Sequence, residues 1–147
     1  MAGSCARTEI LVGKLGLSQL AESHVLIAGL GGVGGACAES LCRAGIGELT
    51  LVDFDMVAKT DLNRQLIALH STLGKSKVEV LSKRLRDINP DTIINKKNIL
   101  IDRQKAEEIA KDDDLTFIAD CIDAIAYKTV LIDACNRSGM PIISSMG

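Results

Sequence analysis

Aromatic residues are nearly missing from this chain. Tryptophan does not occur, tyrosine occurs once and phenylalanine twice, although 47% of the 147 residues are apolar. A chain of this length buries roughly two-thirds of its unfolded surface, so its core must be made of Ile, Leu, Val and Ala. That composition suits parallel strands covered by helices on both faces. A strong excess of one charge is missing too. The formal net charge of −2 does not announce nucleic acid or an anionic membrane, and leaves room only for a local basic patch. No apolar run is long enough to span a bilayer, and no charged segment leading into an apolar stretch opens the chain. The cysteines (Cys5, Cys37, Cys42, Cys121 and Cys135) are odd in number and lack CxxC spacing. They read as reduced, mostly buried thiols of a cytoplasmic protein.

What is present is a regular alternation. "HVLIAGLGGVGG" passes from an apolar strand to a glycine turn at Gly29, and from Val33 the pattern is helical, with Val33, Cys37 and Leu41 spaced by four until Gly45 and Gly47. "ELTLVDF" alternates as a second strand ending near Asp53. In "KSKVEVLSKRLRDINP", Val78, Leu81, Leu85 and Ile88 form one helical stripe, with Glu79, Lys83 and Asp87 spaced for pairing on the other face, and Pro90 closes the helix. "TIIN", "DRQKAEEIAKDD", "LTFIADCID", "AIAYKTVLIDACNRSG" and "MPIISSMG" continue as strand, helix, strand, helix and strand. No repeat or low-complexity linker interrupts them. The expectation is one α/β domain over residues 1–147, a doubly wound, mainly parallel, Rossmann-like sheet. An N-terminal helical arm (1–23) precedes a nucleotide-binding core (24–147). Ligands of such sheets sit beyond the carboxyl ends of the strands. The last strand stops at Gly147, so the chain reads as truncated, with one wall of the site beyond it.

The sequence Gly29-x-Gly31-x-x-Gly34 follows a strand and opens a helix, the context that gives this pattern meaning. Gly29 permits the tight turn, Gly31 lets the backbone approach a phosphate and Gly34 lets helix and strand lie close; Gly32 lies in the same turn. Free N–H groups and the positive helix end attract an anion. The turn alone does not distinguish NAD, FAD and ATP. Asp53, 24 residues after Gly29, is placed to accept ribose hydroxyls. Asp55 follows on the same side, as a second site acid or as a turn former. Asn63, Arg64, Gln65 and Lys77 then add amides and two cations. Arg64 offers a planar fork for phosphate oxygens and Lys77 a mobile point charge. Taken alone, Arg64 fits a surface salt bridge equally well; together the two cations suit a triphosphate better than a dinucleotide. Asp123, closing the fourth strand, is placed to hold Mg²⁺ between phosphates or to cap the next helix.

The glycine turn, "DFD", "NRQ", Lys77 thirteen residues after Arg64, and "DCID" resemble, in order and spacing, the ubiquitin-activating-like superfamily of adenylating enzymes. The resemblance runs from Arg7 to Gly147. "RTEILVGKLGLSQLAESHV", "TDLNRQLIALHSTLGKSKVEV", "INP" and "PIISSMG" look like its subgroup of tRNA threonylcarbamoyladenosine dehydratases. The resemblance implies an ATP-dependent enzyme that adenylates the threonylcarbamoyl carboxylate on tRNA and then closes a ring. It implies that Gly29, Gly31, Gly32, Gly34, Asp53, Asp55, Asn63, Arg64, Gln65 and Lys77 bind ATP, and that Asp123 holds Mg²⁺. It also implies that Arg7 reaches the nucleotide of a neighbouring subunit in a homodimer, giving Arg7, Arg64, Lys77 and Asp123 as the catalytic set. One position departs from the family pattern: Asp61 stands where the family carries asparagine. Beside terminal phosphates it would repel each unit charge by about 4 kcal/mol at ~4 Å and an effective dielectric of ~20.

Other readings share parts of this pattern. Adenylation of a ubiquitin-like sulfur carrier would use the same pocket with a protein C-terminus as acceptor. An NAD-dependent oxidoreductase would share the glycine turn but leave Arg64, Lys77 and Asp123 without a role. An inactive nucleotide-binding fragment would need no acceptor at all.

Overall fold

Five short apolar segments pair side by side, all parallel, in the computed structural model, which describes residues 5–145. They are β1 (His24–Ala28), β2 (Glu48–Val52), β3 (Ile93–Lys97), β4 (Phe117–Asp120) and β5 (Ile142–Ser144). The helices between them are α2 (Gly32–Ala44), α3 (Lys77–Ile88), α4 (Arg103–Ala110) and α5 (Ile125–Ser138); α1 (Ala6–Glu22) precedes the sheet. The strand order is β3-β2-β1-β4-β5. The chain therefore winds outward from β1 in one direction, crosses back, and winds outward from β4 in the other. Between β1 and β4 the direction reverses, which opens a crevice at the carboxyl edge of the sheet.

Alternation along the strands divides the core in two. Val25 and Ile27 of β1 and Leu49 and Leu51 of β2 face Ala38, Cys42, Leu81 and Leu85. Leu26, Ala28 and Val52 face Ala106, Ile109, Leu131 and Ala134. Aliphatic side chains fill both layers, as the shortage of aromatics requires.

Four details differ from the sequence expectation. The buried face of α2 is Gly34, Gly35, Ala38 and Cys42, while Val33 is 42% exposed. Small residues turn inward because the first turn of α2 lies against the end of β1, where larger side chains would hold the helix off. Glu79 pairs with Lys96 of β3 at 2.8 Å instead of with Lys83 along its own helix. Asp123 does not close β4, which ends at Asp120; it lies three residues further on, in the loop before α5. The arm is also less regular than one helix, since Gly13 breaks α1 with φ 72° and ψ 175° and none of its residues is buried. No described helix is long and apolar enough to cross a membrane.

Candidate functional site

The first turn of the site is set by sterics. Gly29 has a φ of 86°, in the left-handed region, and a Cβ there would come within 2.8 Å of the Cys121 carbonyl oxygen. A Cβ at Gly34 would collide with the Gly29 carbonyl oxygen. Any side chain at either position would push α2 away from the strand end. Gly31 precedes α2 without a side-chain cap, and the first bond of the helix runs from the Gly35 N–H to the Gly31 carbonyl. The N–H groups before it have no helical acceptor and, with the helix dipole, form an anion-binding end.

A cleft of about 290 Å³ begins at Gly29 and Gly31. Asp53 sits on its floor, 9% exposed, just past β2. Its Oδ2 accepts the Leu30 N–H at 2.7 Å and its Oδ1 the Asp55 N–H at 2.8 Å. Those bonds fix the carboxylate and leave each oxygen a lone pair for a hydroxyl donor.

Lys77 is not a mobile charge. It opens α3, is 6% exposed, and its Nζ lies 3.3 Å from Asp55 and 3.9 Å from Asp61. Asp61, 6% exposed, accepts the Ala58 N–H on Oδ2 and the Gln65 Nε2–H on Oδ1, both at 2.9 Å. It borders the cleft and is held by the loop it closes. Gln65 is 7% exposed, and its Oε1 is buried without a hydrogen-bond partner among the described residues. Arg64 also lines the cleft with an exposed guanidinium. Its Nη1 donates to the Thr60 carbonyl (2.8 Å) and to Asn63 Oδ1 (3.1 Å), and its Nη2 lies 3.8 Å from Asp61. Asn63 holds Arg64 from outside the cleft lining.

On the opposite wall Asp123 is exposed, lines the cleft and, among the described residues, makes no hydrogen bond or ion pair. Ala124, not Asp123, is the residue before α5, and no side chain caps that helix. Gly32 packs near Arg64 rather than into the cleft, and Arg7 on α1 lies outside the lining residues.

Sequence reasoning passed over two features. Ile99, Leu100 and Ile101, with Ile122 and Tyr127, give the cleft an apolar wall suited to a flat ring. Three consecutive branched aliphatics between a strand and a helix were the available signal. The second feature is Lys128, 4% exposed, whose Nζ donates to the fully buried Asp120 at 2.6 Å, to Ser144 Oγ at 3.0 Å and to the Ser145 carbonyl at 2.9 Å. It ties α5 to the ends of β4 and β5. Among the thiols, burial pushes Cys42 and Cys135 up, whereas a hydrogen bond from Cys121 lowers Cys37 to about 7.

Comparison with known proteins assigns the chain to a family. The ThiF family profile covers residues 6–147. The chain belongs to the ThiF family. It is 41% identical over 142 residues to the tRNA threonylcarbamoyladenosine dehydratase of Bacillus subtilis, covering 97% of this chain and 56% of that protein. It is 38% identical over 129 residues to the molybdopterin-synthase adenylyltransferase of Escherichia coli, covering 88% and 52%. The crystal structure of E. coli tRNA N6-threonylcarbamoyladenosine dehydratase in complex with ATP superposes with a TM-score of 0.94 at 33% identity, over 98% of this chain and 59% of that one. The chain thus spans about half the length of the curated relatives it matches.

Proposed function

We propose that this chain binds ATP in the cleft and serves the adenylation of a carboxylate, the threonylcarbamoyl group carried by tRNA. The observation that carries the reading is the presence of Lys77 and Arg64 in the cleft that starts at Gly29. A dinucleotide needs neither cation, whereas a triphosphate with a departing pyrophosphate uses both. The ATP complex formed by the E. coli dehydratase supports the same nucleotide.

In this reading the apolar wall takes the adenine and Asp53 accepts the ribose hydroxyls. The turn from Gly29 through Gly31 and Gly32 to Gly34 cradles phosphates. Asp55 holds Lys77 in place, Asn63 orients Arg64, and Gln65 completes the wall beneath the two cations. Asp123 is the residue to hold Mg²⁺. It is unpaired, and one carboxylate plus phosphate oxygens is a donor set this ion accepts. Among the described residues no cluster of three metal-ligating side chains offers an alternative. The ion would neutralise charge on the phosphates. The acceptor carboxylate is already ionised at neutral pH, so its attack on the α-phosphorus needs no general base. Pyrophosphate leaves, and the site contributes position and charge compensation. Arg7, outside its own cleft, fits a role at the cleft of a second copy in a homodimer. A cytoplasmic setting accords with a tRNA substrate.

The second reading, adenylation of a sulfur-carrier protein, draws support from the 38% identity to the molybdopterin-synthase enzyme. Calorimetric titration with ATP–Mg²⁺ and with NAD tests the nucleotide, and binding of NAD alone would overturn the proposal. ATP–pyrophosphate exchange by the complete gene product tests the acceptor. Stimulation by tRNA bearing threonylcarbamoyladenosine is expected, and stimulation only by a carrier protein would transfer the assignment to the second reading.

A further inference from the structure

Two of the five cysteines meet beneath the glycine turn. Cys121 lines the cleft, and its Cβ lies 3.2 Å from the position a Cβ would take at Gly34. The face of α2 and the loop after β4 are therefore as near as the ~3.5–4.5 Å Cβ separation that a disulfide spans. Cys37 stands three residues beyond Gly34, on that same helical face. Both side chains are half-buried against one apolar cluster, and each thiol is the leading influence on the other's ionisation. The other helix cysteines are placed differently. Cys42 donates to the Leu85 carbonyl at 3.4 Å inside the core, and Cys135 is buried in the layer on the far side of the sheet.

We propose that Cys37 and Cys121 form a redox-modification site, at which a peroxide joins the two thiols in a disulfide that distorts the cleft and weakens nucleotide binding. The Cys37 thiolate attacks one oxygen of hydrogen peroxide, breaking the O–O bond. After protonation of the leaving hydroxide this gives Cys37 sulfenic acid and one water. The Cys121 sulfur then displaces the hydroxyl group, the S–S bond forms, and a second water leaves with the Cys121 proton. The sulfurs together lose two electrons, and both peroxide oxygens end as water. Cys37 is the attacking thiol because the neighbouring Cys121 thiol lowers it, which favours the thiolate, while Cys121 itself is pushed up. Contraction from a thiol contact to a covalent bond draws Cys121 towards α2. Its backbone runs directly under Gly29 and on to Asp123, so the turn and the opposite wall shift together.

The effect on binding rests on the nucleotide reading above; the modification itself does not. The 147-residue chain is treated with hydrogen peroxide at neutral pH, alkylated and mapped by mass spectrometry. One intramolecular link between the Cys37 and Cys121 peptides is expected, lighter by two hydrogens and reversed by dithiothreitol. ATP–Mg²⁺ titration of the oxidised chain should give a Kd about ten-fold weaker, a large effect on the affinity scale, restored on reduction. Cys37→Ala should bind ATP like the reduced parent and lose the response. Sulfinic acids without a link, or a link that leaves the Kd unchanged, would overturn the proposal, as would a response that survives in Cys37→Ala. Failure of the reduced chain to bind ATP would sink the nucleotide reading and the regulatory effect, while the mapped link would still decide the modification site.

Discussion

The fold buries two lysines at the carboxyl edge of its sheet, and they are held in different ways. Lys128 is surrounded by three acceptors at 2.6–3.0 Å, on Asp120, Ser144 and Ser145. An ammonium has three donors, so nothing remains for a ligand. Lys77 donates one hydrogen bond to Asp55 at 3.3 Å and has Asp61 at 3.9 Å, so its charge is held in place while two of its donors stay available. The first lysine fastens the end of the sheet. The second is restrained in a cleft with donors to spare, the arrangement expected of a phosphate contact.

Replacing each lysine by methionine, which keeps the length and removes the charge, should separate the two roles. Lys128→Met leaves the fully buried Asp120 carboxylate with hydrogen bonds from Ser144 Oγ and the Ile122 N–H but no cation beside it, so urea unfolding should show a loss of about 3–5 kcal/mol. Lys77→Met should cost far less stability, because Asp55 is half-exposed and Asp61 keeps its bonds to Ala58 and Gln65. Its effect belongs in ATP titration, as a fall in affinity of roughly ten- to hundred-fold, from the ~1.5–3 kcal/mol of a hydrogen bond to a charged group. If the two variants exchanged these signatures, the assignment of fastener and ligand contact would be reversed.

A subtler test uses the departure from the family pattern. Asp61 sits beside Lys77 and partly cancels its charge, while Gln65 Oε1 lies buried with no donor. An amide at position 61 could still accept the Ala58 N–H, and its NH2 could donate to Gln65 once the glutamine amide turns over. Asp61→Asn should therefore fold normally and bind ATP about ten-fold more tightly, equivalent to ~1.4 kcal/mol. An unchanged Kd would mean that the Asp61 charge is already neutralised by Lys77 and Arg64.

How much of this was legible in the sequence depended on how local each cause was. The glycine turn, the strand ending beside Asp53 and the helix of Val78, Leu81 and Leu85 are set by neighbours within a few residues, and these could be read. The parallel five-stranded fold followed from the alternation and from the poverty of aromatics. The Asp120–Lys128–Ser144 cluster could not be read, because it exists only once β5 pairs with β4. The restraint on Lys77 was hidden for the same reason: it needs Asp55, just past β2, and a loop, Ala58 to Gln65, that the Asp61 side chain shapes, both brought to the start of α3. Asp123 was legible as a residue of the cleft, but its lack of partners, which suits it to a metal, required the loop to be seen. The buried face of α2 was misjudged because large residues are usually taken to point inward, and here the close approach to β1 selects Gly34, Gly35 and Ala38.

The smallest expected effect lies away from the cleft, where α2 meets α3. Glu39 accepts from Arg84 Nε at 2.7 Å and from Arg43 Nη2 at 2.8 Å. The hydrogen bond from Arg84 is the main cause holding its carboxyl below the ordinary carboxylate value, with Arg43 adding to it. Because the folded value is depressed, the stabilisation is present in full above the unfolded value of 4.5 and is lost as pH falls through the lower folded value. Both arginines stand in solvent and salt screens them, so the cluster contributes under about 1 kcal/mol. Glu39→Gln should therefore lower stability by that amount at neutral pH and by nothing in acid, with the two unfolding curves converging below pH 4.5. A difference that persisted there would mean that Glu39 acts by packing α2 on α3 and not by its charge. Either outcome leaves ATP binding untouched, which distinguishes this surface cluster from Lys77, and its small size distinguishes it from Lys128.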